Sequence, residues 1–247
     1  MELSGLWREM ELARPLGLQA FKLGTEEEGL SAQEVAFVAG LVPPDLGIMV
    51  KIGGPCARAD LRLAASVKAT AVIAPMVESP FALMRFVEAC ALDLAERRPQ
   101  TELAFNLETA QALGQLDTLL DHPSARELTF VNIGRSDLAA SLGLTIVDPK
   151  MHGIVAHAIS QISARNLPVH VGGSVTRASL LPLLEMAAIS AFHTRFLAFA
   201  VGSRVAEAID AALRLEVELL GILARQFPSR AESFDARAHE TERRLQV

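Results

Sequence analysis

Short apolar segments alternate with amphipathic helical segments along most of this chain. Apolar residues that recur at three and four positions indicate helices, whereas short apolar runs between turn residues indicate buried strands. Regular strand–helix alternation favours a parallel sheet, whose strands are buried on both faces and are therefore apolar throughout. Eight runs are predicted as strands, at 18–23, 46–52, 71–77, 103–107, 128–133, 167–171, 189–193 and 196–201.

The number of strand–helix units favours a closed barrel over a doubly wound sheet. No GxGxxG turn, the phosphate-binding signature of nucleotide-binding sheets, follows the first run. A length of 247 residues is usual for one (β/α)8 barrel. We therefore predict an α/β fold, a single-domain (β/α)8 TIM barrel over 1–247 with the barrel itself at about 15–202. Its connecting helices are predicted at 31–41, 58–66, 80–95, 110–120 and 151–165.

Two further helices lie outside the barrel pattern. An extra N-terminal helix is predicted at 4–13 with Ser4 as its cap, and a long C-terminal helix at 203–226 between Ser203 and Pro228. The long helix has an apolar stripe that needs a partner surface, either the barrel or a second subunit, so we expect a homo-oligomer. The charged tail after Pro228 is expected to be frayed or bound at an interface. The stripe consists of Val205, Ile209, Leu213, Val217, Leu220 and Leu223.

Charge and composition exclude several partners. The net charge is −6, no long basic run is present, and the chain has no Tyr and one Trp, so we expect no nucleic-acid partner. No apolar run approaches the roughly 20 residues of a membrane-spanning helix, and the N-terminal segment does not resemble a signal peptide. Cys56 and Cys90 offer neither a disulfide framework nor metal-ligand spacing. We expect a reducing, cytoplasmic location and no membrane partner.

Polar residues close the apolar runs at an interval of about one strand–helix unit. In a barrel, active-site residues lie at the carboxyl ends of the strands. These residues therefore predict a ring of polar side chains on one face. Its members are Lys22, Lys51, Glu78, Glu108, Asp137, His170, His193 and Arg195.

Two acids of this ring predict a metal site. Glu108 and Asp137 follow adjacent strands, and neighbouring strands lie about 4.8 Å apart, so their carboxylates can converge on one ion. Two carboxylates with waters and substrate oxygens suit Mg²⁺, or Mn²⁺. The alternative is that either acid only caps a helix or forms a salt bridge.

The other ring members have structural alternatives as well. Glu78 precedes a helix start, so it either complements the helix dipole or orients metal-bound water or a lysine. Lys22 and Lys51 either pair with the acids or bind a substrate carboxylate. His170 and His193 are either proton carriers or structural core residues, and we assign His170 to substrate binding.

Glycine turns after two strands are candidate anion sites. Backbone N–H groups in such turns can hold a carboxylate or phosphate, although a plain tight turn has the same sequence. The glycines that we predict to border the substrate are Gly53, Gly54, Gly134, Gly172 and Gly173.

Three motifs resemble the HpcH/HpaI aldolase and citrate lyase β-subunit family. They are APMVES around Glu78, FNLET around Glu108 and NIGRSDLAASLG around Asp137. The family has P-(M/K)-V-E-(S/T), then I-E-T, then G-x-x-D-L-(A/S)-x-S-(L/M)-G, in this order and at this spacing. The resemblance covers about 18–200 and is best in 46–143.

The resemblance implies a fold, a metal and a reaction. It implies an oligomeric barrel with Mg²⁺ or a similar ion on Glu108 and Asp137. Family members make or break a carbon–carbon bond beside a carbonyl, and the ion offsets charge on the enolate of a 2-oxo acid such as pyruvate or oxaloacetate, or of a related carboxylate. The partner is thus a small-molecule carboxylate.

This chain departs from the better-known aldolases of that family at three points, which suggests a divergent branch. Lys51 stands where they have a carboxylate-binding Arg, and lysine lacks the planar fork of arginine. The loop GTEEEG after the first strand lacks their catalytic His. Arg135 and Ser136 replace a Gly-Pro pair before the metal Asp, so we predict that Arg135 supplies the missing guanidinium.

Three functions follow, in order of preference. The first is a metal-dependent carbon–carbon lyase, or an aldol or Claisen-type condensation, with Lys22, Lys51, Glu78 and Arg135 as its catalytic residues. The second is a non-catalytic barrel that binds a metabolite or serves as an assembly partner in a biosynthetic complex. The third retains the metal site but uses it for phosphoryl or carboxyl chemistry on an enolate. The substrate, the reaction direction and a role for CoA are left open.

Overall fold

A computed structural model describes residues 3–246 and confirms the predicted barrel. Eight strands close it in their chain order, so each predicted run occupies its expected place. The strands are β1 (Leu18–Gly24), β2 (Gly47–Lys51), β3 (Ala71–Ala74), β4 (Glu102–Leu107), β5 (Phe130–Gly134), β6 (Val169–Gly172), β7 (Ala191–His193) and β8 (Leu197–Ala200).

The helices follow the predicted pattern, with three additions. The sequence pattern predicted the helix at 151–165, but it did not predict the short helix directly after β5, the helix after β6 or the helix in the C-terminal tail. The helix predicted at 110–120 is divided into two. The helices are α1 (Ser4–Ala13), α2 (Ala32–Leu41), α3 (Arg58–Ser66), α4 (Pro80–Asp93), α5 (Ala110–Gly114), α6 (Leu116–Asp121), α7 (Arg135–Ser141), α8 (Pro149–Ser163), α9 (Arg177–Met186), α10 (Val205–Gln226) and α11 (Ala231–Arg244).

The last strand runs against the others. β1 to β7 pair in parallel with their neighbours, whereas β8 is antiparallel to both β7 and β1. Only Thr194, Arg195 and Phe196 connect β7 to β8, and a parallel crossover needs a dozen or more residues. This turn therefore places Arg195 at the same end of the barrel as the carboxyl ends of β1 to β7.

The barrel interior has an apolar half and a polar half. Apolar side chains fill the half near the amino-terminal ends of the parallel strands. Because side chains alternate along a strand, Lys22 follows Ala20 inward, Asn106 follows Ala104 and Asn132 follows Phe130. The polar half thus lies toward the carboxyl ends of the parallel strands. The apolar cluster is Ala20, Met49, Ala71, Ile73, Ala104, Phe130 and Ala198.

The two helices outside the barrel pattern begin one residue away from the predicted caps. The N-cap of α10 is Arg204 and not Ser203, and the N-cap of α1 is Leu3 and not Ser4. Within the predicted stripe, Ile209, Leu213, Leu220 and Leu223 are buried against this same chain. The homo-oligomer stays a prediction, which now depends on the family resemblance alone.

The tail after Pro228 is not frayed. It forms α11, which packs on α10 with Phe234 fully buried. Thr241 Oγ1 donates a hydrogen bond of 3.1 Å to Glu216 Oε1 on α10. The sequence pattern did not predict α11 because Phe234 is the only large side chain that this helix buries. A single apolar residue gives no periodic signal among so many charged ones.

None of the helices within residues 3–246 combines the length and the apolar content that a membrane crossing requires.

Candidate active site

A cavity of about 260 Å³ lies at the carboxyl ends of the parallel strands. Its lining includes Asp137, Gly134, Gly172 and Gly173 from the predicted site, together with His193. Four basic side chains and five carboxylates border it, so acidic groups are in excess. These charged residues are Lys22, Glu27, Glu28, Lys51, Glu108, Asp137, Arg195, Glu240 and Arg244.

Glu108 is buried at the floor of this cavity. Its Oε1 accepts a hydrogen bond of 3.0 Å from the backbone N–H of Met76, and its Oε2 accepts one of 2.8 Å from Asn106 Nδ2. Burial raises the pKa of Glu108 above its usual value, and Asp137 adds to this effect. This pKa is lowered by the charge of Lys51 and by the hydrogen bonds from Asn106 and Met76, but burial outweighs the three together. The positive charge and hydrogen-bond donors around the Glu108 carboxylate therefore do not fully compensate for its burial.

Two backbone features hold Glu108 in this position. Met76 has a left-handed φ of 52°, an uncommon conformation for a residue with a side chain, and in this conformation its N–H donates to Glu108. At Gly134 on β5, an added Cβ would lie 3.0 Å from both Cβ and Oε2 of Glu108. The glycine thus permits the close approach of β5 to the carboxylate.

Both predicted lysines pair with carboxylates at the cavity. Lys51 Nζ lies 2.9 Å from Glu26 Oε2 and 3.6 Å from Glu108 Oε2. Burial alone would lower the pKa of Lys51, but Glu108 and Glu26 outweigh it and the net shift is upward. Lys22 Nζ lies 3.7 Å from Glu28 Oε1. Lys51 therefore stays charged at neutral pH.

Glu108 and Asp137 fit a divalent cation. Asp137 lies in the first turn of α7, lines the cavity and interacts electrostatically with Glu108. Carboxylate oxygens are the ligands that Mg²⁺ prefers, and the acidic excess of the cavity calls for a counter-charge. Within residues 3–246, no cluster of three or more His, Cys, Asp or Glu side chains could hold a metal. Water and substrate oxygens would therefore complete the coordination shell.

Arg135 does not supply a guanidinium to the cavity, so this prediction is corrected. Its Nε donates to Gly172 O at 3.1 Å, its Nη1 to Ser179 O at 2.5 Å and its Nη2 to Gly173 O at 2.9 Å. Burial lowers its pKa to about 10. The guanidinium group of Arg135 donates its hydrogen bonds to backbone carbonyls. Arg135 therefore stabilises the connection between β6 and α9 instead of binding substrate.

Glu78, Gly53 and Gly54 also lie outside the cavity lining. The N–H of Gly53 donates to Asp60 Oδ2 at 2.7 Å, so this turn is closed by a carboxylate of the chain itself. Thr109, the N-cap of α5, donates from Oγ1 to Glu78 Oε1 at 2.7 Å. Glu78 thus supports a helix start, and the contacts favour its structural alternative.

Gly172, the last residue of β6, and Gly173, which follows it, border the cavity. Gly173 has a φ of +84°, and a Cβ there would lie 2.5 Å from the backbone nitrogen of Ser136. Only a glycine allows this turn to pack against the start of α7. The backbone of Gly172 and Gly173 is thereby placed beside Asp137 in the cavity wall.

The two histidines form a pair inside the barrel. His170 Nδ1 and His193 Nε2 lie 3.1 Å apart, and the His170 ring stacks on Phe130 at a centroid distance of 3.9 Å. His193 lines the cavity, whereas His170 lines a different one at the opposite end of the barrel. Burial lowers the pKa of His170 to about 4 and holds the pKa of His193 well below its usual value. His170, predicted as substrate-binding, therefore lies beneath the cavity as a neutral side chain.

Several lining residues were not assigned from the sequence. Asn106 and Asn132 interrupt apolar strands, and Asn132 Nδ2 donates to Asn106 Oδ1 at 2.8 Å. A polar residue at an inward position of a buried strand is a signal that could have identified both. Glu240 and Arg244 belong to α11, which the sequence pattern did not predict, so their position carried no such signal.

Comparison with protein families matches residues 49–171 to the model described as HpcH/HpaI aldolase/citrate lyase. The match includes Lys51, Glu108 and Asp137 and so agrees with the motifs identified in the sequence. No curated protein matches the chain at a significant level.

Solved structures of low sequence identity share the fold. An HpcH/HpaI aldolase from Desulfitobacterium hafniense DCB-2 has a TM-score of 0.62 at 15% identity and covers 78% of this chain and 83% of its own. A family protein from Burkholderia cenocepacia J2315 has a TM-score of 0.59 at 16% identity, with coverages of 77% and 84%. Citrate synthase SbnG has a TM-score of 0.61 at 14% identity, with coverages of 76% and 81%. At this identity the likeness establishes the barrel fold.

Proposed function

This chain belongs to the HpcH/HpaI aldolase/citrate lyase family, and on that premise we propose that it is a metal-dependent carbon–carbon bond lyase or aldolase. The reaction, or the reverse aldol or Claisen-type condensation, passes through the enolate of a 2-oxo acid such as pyruvate or oxaloacetate, or of a related carboxylate or CoA thioester. One observation carries the proposal. Glu108 and Asp137, from the ends of adjacent strands, border one cavity with Lys51 beside them.

Glu108 and Asp137 would hold Mg²⁺ or Mn²⁺ at the floor of the cavity. A bound divalent cation supplies positive charge that offsets the negative charge on an enolate oxygen. Lys51 adds a fixed positive charge near the same carboxylate, because its raised pKa keeps it protonated. It therefore acts by electrostatic stabilisation or as a proton donor, and not as a base.

Lys22 and Glu28 are the pair that we assign to proton transfer. Both line the cavity, and Glu28 is 3% exposed. Its Oε2 is buried and accepts no hydrogen bond from the described residues. Because Oε2 is packed against Gly24, we assign proton acceptance to Oε1, the oxygen that lies 3.7 Å from Lys22 Nζ, and the adjacent ammonium can return the proton. This pair takes the place of the histidine that the better-known aldolases have after the first strand.

The backbone of Gly134, Gly172 and Gly173 supplies the wall for the 2-oxo acid. These glycines line the cavity with Asp137, and a Cβ added to them would meet Glu108, His193 or Ser136. A small carboxylate fits a cavity of about 260 Å³. The substrate roles predicted for Gly53, Gly54 and His170 are not carried forward, because none of the three lines this cavity.

The proposal is tested by exchange of the methyl protons of pyruvate with deuterated water, followed by NMR in the presence of Mg²⁺. We expect exchange with the native chain and a loss of at least about 100-fold in Glu108→Gln and in Glu28→Gln. Asp235→Asn on α11 is the matched control, since it removes an exposed carboxylate far from these roles. Unchanged exchange in Glu108→Gln would overturn the assignment.

Calorimetric titration with Mn²⁺ tests the metal separately from turnover. We expect binding to the native chain, tighter binding with pyruvate or oxaloacetate, and loss of binding in Asp137→Asn. If the native chain binds no divalent ion, the non-catalytic metabolite-binding barrel becomes the better hypothesis. A homo-oligomer and a reducing cytoplasmic location remain part of the proposal and are checked by light scattering and by fractionation.

A further inference from the structure

Two arginines occupy the part of the cavity wall formed by α11 and the turn before β8. Arg195 Nη2 donates to Glu240 Oε2 at 3.3 Å, and Arg244 donates to the other oxygen of the same carboxylate. Each arginine side chain is 16% exposed. Both line the cavity that also contains Glu108 and Asp137.

A buried network fixes these arginines relative to each other. Glu216 on α10 is fully buried, and its Oε2 accepts a hydrogen bond of 3.1 Å from the N–H of Phe196. Its other oxygen accepts the bond from Thr241 on α11. One carboxylate thus joins the residue next to Arg195 to the helix turn that carries Arg244. The two guanidinium groups are held together by the fold and not by surface contact alone.

The network also ties α11 to the loop after β1. Arg237 Nη1 donates to Glu28 O at 2.8 Å and its Nη2 to Glu27 O at 3.0 Å, while Arg230 Nη1 donates to Gly29 O at 2.7 Å. The helix is therefore anchored at both sides of the cavity. These bonds hold Glu240 and Arg244 in the cavity wall.

The charges divide the cavity into two unlike parts. In one part, Glu108 has Lys51 as its cationic partner, but Lys51 also pairs with Glu26, and Asp137 adds a further negative charge near Glu108. In the other part, one carboxylate, that of Glu240, is shared by Arg195 and Arg244. The carboxylate of Glu27 lies 3.7 Å from Arg195 but is largely exposed. A guanidinium has more N–H donors than one shared carboxylate can use, so donors remain for a ligand. Exposed Glu27 offsets little of this charge.

We propose that Arg195 and Arg244 bind a second anionic group of the substrate, a carboxylate or a phosphate on the fragment that is joined to or released from the enolate. This inference deepens the proposed function and relies on it for the reaction. It predicts substrates that are anionic at both ends, with the 2-oxo acid at Glu108 and Asp137 and the second anion at the arginines.

The inference is tested by the selectivity of the enzyme among aldehydes that accept the pyruvate enolate. With pyruvate and Mg²⁺, we compare succinic semialdehyde with butanal, and glycolaldehyde phosphate with glycolaldehyde. These pairs differ in the anionic group, and the two arms distinguish carboxylate from phosphate. We expect the native chain to prefer the anionic member of at least one pair, and the ratio of kcat/KM to fall about 10-fold or more in Arg244→Gln and Arg195→Gln. Arg243→Gln, an exposed neighbour on α11, is the matched control and should retain the native ratio.

Binding of succinate and of inorganic phosphate by calorimetry, at constant ionic strength, makes the test independent of turnover. We expect Arg244→Gln to weaken binding about 10-fold and Arg243→Gln not to. Arginine-dependent binding without pyruvate proton exchange would support this site while refuting the proposed function. Equal kcat/KM for charged and neutral acceptors with no binding of either anion would overturn the site. The site would also be overturned if anion binding weakened equally in Arg195→Gln, Arg244→Gln and Arg243→Gln. Such a result would show that the net charge of the protein, and not these two arginines, controls anion binding. Thermal melting confirms that each variant is folded.

Discussion

Lys51 Nζ lies 3.6 Å from Glu108 Oε2, and both side chains are almost completely buried in the barrel. The barrel thus carries an ion pair where the family resemblance implies a metal. The ammonium offsets part of the charge of a carboxylate that burial would otherwise disfavour. A cation held by Glu108 would have to share that carboxylate with Lys51.

Replacing Lys51 with Met should destabilise the chain in the absence of metal. The carboxylate of Glu108 would lose its nearest positive charge, and breaking a buried pair costs about 3 kcal/mol or more. Mg²⁺ should restore much of this loss, because the ion replaces the missing charge and binds only the folded state. The free energy of unfolding in urea, with and without Mg²⁺, measures both effects. Lys150→Met, at an exposed position, should change neither value. A loss that Mg²⁺ does not reduce would argue against a metal at Glu108.

Replacing Gly134 with Ala should weaken metal binding. The new Cβ would be 3.0 Å from Glu108 Oε2 and would displace the carboxylate from its present position. We expect the Mn²⁺ affinity to fall about 10- to 100-fold, as is usual when the surroundings of a ligand are disturbed. Calorimetry measures this change. Gly153→Ala is the comparison, since this exposed glycine in α8 has open space around it and should gain about 0.5–1 kcal/mol of stability. Equal Mn²⁺ affinities in the two variants would contradict the close approach of β5.

Replacing Arg135 with Ala should reduce stability. The variant would remove the guanidinium donors from three backbone carbonyls, those of Gly172 at the end of β6, Gly173 in the following turn and Ser179 in the first turn of α9. Each buried acceptor that loses its partner costs about 1–3 kcal/mol, so a loss of at least about 3 kcal/mol is expected. Denaturant unfolding measures it, with the exposed Arg126→Ala as control. A stable variant with only a raised KM would instead restore Arg135 as a substrate ligand.

Acidification should destabilise the chain through His170. The pKa of this imidazole is lowered from 6.5 to about 4 by burial, so between these values the unfolded chain binds more protons than the folded one. The free energy of unfolding therefore falls as the pH falls from 6.5, by up to about 1.4 kcal/mol per pH unit for one group. His193 acts in the same direction, since its pKa is also lowered.

Urea unfolding at pH 6.5, 5.75 and 5.0 measures this dependence. His170→Gln should flatten it, and His239→Gln, at an exposed position of α11, should leave it unchanged. An identical slope in His170→Gln and the native chain would show that the imidazole is not buried as described.

The sequence determined the order of the strands and the residues at their ends. Apolar periodicity is a local property, and Glu108 and Asp137 could be placed together because each follows its own strand in an adjacent unit. Lys51 and the glycines Gly134, Gly172 and Gly173 follow from the same rule. Local spacing was sufficient wherever a residue extends directly from a parallel strand end into the cavity.

Only the tertiary structure decided where long side chains and the last elements go. Arg135 also follows a strand, but the direction of its guanidinium depends on carbonyls of the turn between β6 and α9, which lies far along the chain. The reversal of β8 results from a short turn whose consequence appears only when the barrel closes. Arg244 reaches the cavity because Glu216 joins α11 to the turn before β8. These contacts link residues far apart in sequence, so no local pattern encodes them, and the packing of the whole barrel selects them.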